Sequence, residues 1–202
     1  MNASHRFALP RCTPRVGLVA SLILLALPLA GGAHPGADAG THHGLTAGLN
    51  RPFTGLDHLV AMLAVGLWSG CSARRSWVAP VAFAVMLMVG AVLAAAGLAL
   101  PAVEPMVVAS LLALGLLLAS RTRLSAPAAA AVMGGFALFH GAAHGAELTG
   151  AAALGGMLLG SLVLQGIGLM LGHALNDRAT WLPRVAGAAV AVQLCLDGLA
   201  TP

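Results

Sequence analysis

The sequence predicts an all-α, polytopic membrane helix bundle of six transmembrane helices behind a cleavable signal peptide. Three observations carry that prediction. Of 202 residues, 59% are hydrophobic and 8% are charged, against about 25% charged in soluble domains. The apolar residues gather into runs close to the ~20 residues that cross a hydrocarbon core. The basic residues, all arginine with no lysine, fall mainly in every second link between those runs.

The leader comes first. Residues 1–33 read as a signal peptide: Arg6, Arg11 and Arg15 form a basic start, Val16 to Ala30 an apolar stretch broken by Pro28, and Gly31-Gly32-Ala33 a small-residue cleavage site. The alternative is an uncleaved first span. Cleavage after Ala33 makes His34 the first residue of the mature chain, where α-amine and imidazole together form a chelating pair. Residues 34–52 are polar and rich in Gly and His, with His42 and His43 beside His34. They are expected to form an extracytoplasmic, metal-collecting segment.

Residues 53–202 are expected to form the transmembrane domain. The six predicted spans are 53–70, 77–99, 104–120, 126–147, 151–174 and 181–200. Arg74 and Arg75 follow the first span, Arg121 and Arg123 the third, Arg178 and Arg184 the fifth. The intervening links, around Pro101 to Pro105 and Leu148 to Gly150, hold no basic residue. The positive-inside rule makes the arginine side cytoplasmic and both mature termini extracytoplasmic, in the inner membrane. Cys12, Cys71 and Cys195 are too few and too scattered for a disulfide framework and are expected to be free thiols. The arginines set topology and do not form a nucleic-acid surface.

Ionisable groups inside lipid are costly, so their positions carry information. The first span opens on Gly55-Leu56-Asp57-His58, with Met62 one turn on. The fourth carries His140, His144 and Glu147 at helical spacing, within about 60° of one face. The predicted topology brings Asp57, His58, His140, His144 and Glu147 to one depth in the outer half of the bilayer. Imidazoles with carboxylates suit a borderline divalent ion: nickel, cobalt, copper or zinc. Asp57 is a candidate ligand or an orienting partner for an imidazole. Glu104 and Asp197 fall near outer helix ends and could complete the site, or could be ordinary solvated ends. Gln165 and His173 lie further along the fifth span as a possible lower station and exit; packing is the plainer role for His173. The glycines of the fourth and fifth spans read mainly as close-packing surfaces.

Two stretches resemble a known family. Gly55 to Trp68 (GLDHLVAMLAVGLW) and Phe136 to Glu147 (FALFHGAAHGAE) look like the two signatures of the HupE/UreJ family, hydrogenase- and urease-accessory membrane proteins regarded as nickel permeases. Glu104-Pro105 and His34-Pro35 also match elements of that pattern. The resemblance implies six helices, nickel uptake, and a site built from Asp57, His58, His140, His144 and Glu147. Three positions depart from it: Arg51-Pro52 stands where the family has His-Pro, and Ala142 and Gln165 stand where it has histidines.

The expected function is therefore transition-metal transport, with the metal ion and the lipid bilayer as partners. An oligomer or a metallochaperone partner is compatible with the sequence but not identified by it. An intramembrane metal-dependent hydrolase and a non-transporting metal-binding accessory protein are the competing readings. The chain has no His-Glu-x-x-His run and no phosphate-binding loop with its lysine. Energy for transport would come from a gradient or a partner.

Overall fold

The computed structural model describes residues 44–72, 76–145, 147–148, 150–178, 181, 183–185 and 187–189. The leader, His34, His42, His43, Arg74, Arg75 and Asp197 lie outside the described residues. The described chain is helical: α1 Leu45–Thr54, α2 Leu56–Ser72, α3 Val78–Ala95, α4 Val103–Ser120, α5 Ala126–Gly145 and α6 Ala151–Arg178. No strand occurs among the described residues.

Four of these helices, α3 to α6, are each long and apolar enough to cross a membrane. The pair α1 and α2 passes that test only together, bent by 84°. The described residues thus hold four spans, or five with the bent pair counted as one. Most of the predicted sixth run, 181–200, lies outside them. Of its described parts, 181 is a turn and 183–185 and 187–189 are helical, and a Cβ on Gly187 would meet the Gly115 carbonyl of α4.

The start of the first span differs from the prediction. Helix begins at Leu45, inside the stretch read as a polar segment, and breaks at Gly55 before restarting at Leu56. Residues 45–54 look polar because their packing face is made of small residues. Gly48 lies against Ala153 of α6, and Pro52 against Gly160, while Leu45, Leu49 and Phe53 are exposed. Gly55 is extended, at φ −103° and ψ 118°, and its carbonyl accepts from the Leu59 amide to start α2. A Cβ there would lie 3.3 Å from the His58 ring.

Glycine contacts set how the helices meet. Gly141 and Gly145 of α5 lie against the backbone of α3 at Leu87 and Ala91, and Gly90 of α3 lies against Leu138 and Ala142 of α5. Gly168 and Gly172 of α6 lie against α2, and Gly66 and Gly70 of α2 lie against α6 at Gln165 and Leu169. Contacts advance along both members of each pair in the same direction, so α3 and α5 run parallel, as do α2 and α6. That is the relation expected of alternate spans. Without side chains between them the backbones approach closely, where dispersion is strongest in lipid. Gly155 and Gly166 have open space instead and take no part.

The interior is filled by Met62, Trp68, Phe83, Leu87, Leu114 and Met133. The indole of Trp68 donates to the Thr122 carbonyl at 3.0 Å, satisfying a polar atom that burial would otherwise strand. Cys71 is a buried free thiol beside the Gly172 carbonyl at 3.4 Å. Outside, Val81, Val85, Val89 and Val92 form an exposed apolar stripe along α3, as a lipid-facing surface requires.

Candidate metal centre

Helix α5 turns its glycines to α3, and that rotation carries His140 and His144 towards α2. There they meet His58. The His58 and His144 rings tilt against each other with centroids 3.9 Å apart. His58 meets His140 edge to face at 4.7 Å. The ring of Phe83 on α3 is tilted against His140 with centroids 5.7 Å apart. All three histidines are buried. The sequence predicted their meeting from helical spacing and topology, and the structure brings them together.

Each ring keeps one buried nitrogen with no hydrogen-bond partner: Nε2 of His58, Nδ1 of His140 and Nε2 of His144. Stranding a buried polar atom costs about 1–3 kcal/mol, so three on touching rings mark a place built to bind something. Ser110 of α4 explains the choice of nitrogen in His140. Its hydroxyl donates to the Val107 carbonyl at 2.6 Å, so Oγ accepts from His140 Nε2–H at 2.7 Å. The ring proton is held on Nε2, and the Nδ1 lone pair is left for a ligand.

The rings are gathered but not arranged around one point. Among the described residues no group of three His, Cys, Asp or Glu side chains is placed to hold an ion together. Three imidazoles on one tetrahedral ion, each bound through nitrogen at about 2.1 Å, would hold their centroids about 5 Å apart. The observed 3.9 and 4.7 Å are shorter. The rings would have to part by about 1 Å to take an ion between them.

The two carboxylates stand differently from the sequence expectation. Asp57, in the first turn of α2, is exposed and makes no hydrogen bond to the rings. Its charge favours the helix N-terminus. Glu147 is not on the helix face: α5 ends at Gly145, and the amides of Glu147 and Leu148 both turn back to the His144 carbonyl. Glu147 reaches the cluster through Arg51, with which it forms an ion pair. Arg51 in turn donates from Nε to His144 Nδ1 at 3.1 Å.

Of the remaining expectations, Glu104 and His173 are exposed. Gln165 is fully buried with neither amide atom partnered, and Ser69 Oγ is likewise buried and unpartnered. Residue-level reading missed two members of the site. Ser110 gave no signal, because a serine in a membrane helix commonly bonds its own backbone. Arg51 did give one: it is the only arginine belonging neither to the leader nor to the basic links.

Comparison with known proteins covers the same residues. The family described as HupE / UreJ protein matches residues 22–196. Protein HupE of Rhizobium leguminosarum bv. viciae is 41% identical over 183 residues, covering 87% of this chain and 93% of that protein. No solved structure matches the chain. The chain belongs to the HupE/UreJ family, whose members are accessory and transport proteins and not enzymes.

Proposed function

We propose that the protein moves a divalent transition-metal ion across the cytoplasmic membrane, with nickel the first choice and cobalt, copper or zinc the others, and that the ion is substrate. The observation that carries this reading is the meeting of the His58, His140 and His144 rings, each with one unpartnered nitrogen, that of His144 being the N–H nitrogen while Arg51 holds Nδ1. Neutral imidazole nitrogen is a favoured donor for these ions. The preference for nickel comes from family membership, not from ligand geometry.

The arginine-bearing links face the cytoplasm, and the termini face out. His34, exposed as the first residue by leader cleavage, and the histidines after it collect the ion. Asp57 and Glu147 add negative charge at the mouth, and the three rings take the ion as they part. Below them Met62 and Ser69 lie on the His58 side of α2, at spacings of one and three turns. Gln165 of α6 adds the next polar group, where the family pattern has a histidine. No nucleotide drives the step; a gradient or a partner supplies the energy.

The test is ion flux into sealed proteoliposomes, comparing the wild type with His58→Ala and His144→Ala. Nickel uptake by the wild type and its loss in both variants is the expected result. Equal behaviour of all three would end the transport assignment. Tight nickel binding without flux in the wild type would make this a holding protein instead.

A further inference from the structure

We propose that Arg51 is a tethered cation that closes the three-histidine cluster, and that an incoming metal ion must displace its guanidinium to bind. The inference rests on the cluster being the metal site.

The argument is one of lone pairs. A neutral imidazole has one N–H and one lone pair. Arg51 Nε–H points at Nδ1 of His144, so Nδ1 is the acceptor and the ring proton sits on Nε2. Guanidinium does not deprotonate in proteins, so it cannot turn acceptor. If the ion binds Nδ1, it takes the lone pair that Arg51 now uses. If it binds Nε2, the ring proton must move to Nδ1, where it would face the Arg51 N–H. Either way the arginine and the ion exclude one another at His144.

The same guanidinium pairs with Glu147. One fixed positive charge therefore occupies a histidine lone pair and a carboxylate, the donor types that a divalent ion would use. Its position also matches the close packing of the rings. Arg51 lies on α1, ahead of the bend at Gly55, while His144 lies 93 residues on near the end of α5. The contact thus ties the short first helix across the cluster. Arg51 is only half-buried, so its side chain has a route off the rings towards Glu147 and solvent.

The role differs from that of a structural clamp in a measurable way. A clamp that shaped the site would weaken metal binding when removed, whereas a competitor would strengthen it. Ni²⁺ is titrated calorimetrically into the purified full chain as wild type, Arg51→Gln, Arg51→Lys and Arg51→Gln with His144→Ala. Arg51→Gln should bind Ni²⁺ about fivefold tighter or more, the scale of a coupling free energy between two sites. Arg51→Lys retains the charge without the Nε donor and should fall between. The double variant should lose the gain.

Wild type that binds Ni²⁺ with Arg51→Gln equal or weaker would overturn the proposal and leave the metal site standing. Failure of every variant to bind Ni²⁺, Co²⁺, Cu²⁺ or Zn²⁺ would remove the metal site and this inference with it. A second readout guards against misfolding. In ¹⁵N-labelled wild-type protein without added metal, His144 should show a protonated Nε2 and an unprotonated Nδ1. Arg51→Gln should shift that balance. An unchanged His144 tautomer in a folded Arg51→Gln protein would equally overturn the proposal.

Discussion

Ser110 Oγ lies 2.7 Å from His140 Nε2, joining α4 to α5 in the buried interior. The bond decides which nitrogen of His140 is left free. Ser110→Ala should therefore weaken Ni²⁺ binding about 10- to 100-fold, the usual effect of losing a partner that orients a metal-ligating histidine. Titration of Ni²⁺ into Ser110→Ala and Ser110→Thr checks it. Threonine, which keeps the hydroxyl, should restore most of the affinity. Equal affinity in Ser110→Ala and wild type would show that the tautomer of His140 does not matter.

His140 is the most enclosed of the three rings, between His58, Phe83 and Ser110. His140→Ala should abolish nickel uptake and leave a cavity in the bundle. His140→Gln retains polar atoms near Ser110 and should recover folding without recovering uptake. Uptake by His140→Gln at the wild-type rate would remove His140 from the path.

Close packing of α5 on α3 is expected to be the main constraint on how far His140 and His144 reach. A Cβ on Gly141 would meet the Leu87 carbonyl and the Ala91 amide, neither of which can swing aside. Gly141→Ala should cost about 1–3 kcal/mol, the scale of overpacking. Gly155→Ala, where nothing lies within 4 Å, should be neutral or stabilise by up to about 1 kcal/mol through helix propensity. Thermal unfolding of both in detergent separates them. Similar midpoints would contradict the packing described.

Ligation by imidazole requires the neutral ring, so protons and metal compete. Nickel affinity should fall once acid protonates His58, His140 and His144 and removes their lone pairs. Titrations at falling pH read this directly. Affinity that holds at a pH where ¹⁵N shifts show the three rings protonated would argue for oxygen ligands in their place.

Leader removal makes its own prediction. N-terminal sequencing of protein purified from membranes should begin at His34. A chain beginning at Met1 would remove the amine–imidazole chelate and leave the sequence's other reading, an uncleaved first span.

Membrane character, the apolar runs and the three histidines were readable in one dimension. Apolar length and the cost of an ionisable group in lipid depend on composition and on neighbours a few residues away. The His140–His144 pair follows from helical pitch, and the meeting with His58 followed from alternating spans. Glu147 was misplaced for a local reason: α5 ends at Gly145, two residues before the predicted boundary, so the i+7 relation no longer applies.

Tertiary structure decided which neighbours those histidines have. Gly141 and Gly145 rotate α5 against α3, and that rotation places the rings beside Ser110 and Arg51. Asp57 is adjacent to His58 in the chain, yet it is exposed while His58 is buried. Arg51 reaches His144 across 93 positions, and His140 reaches Ser110 across 30. Such contacts depend on how helices turn about their axes when backbones pack through glycine, and no local pattern in the chain encodes that angle.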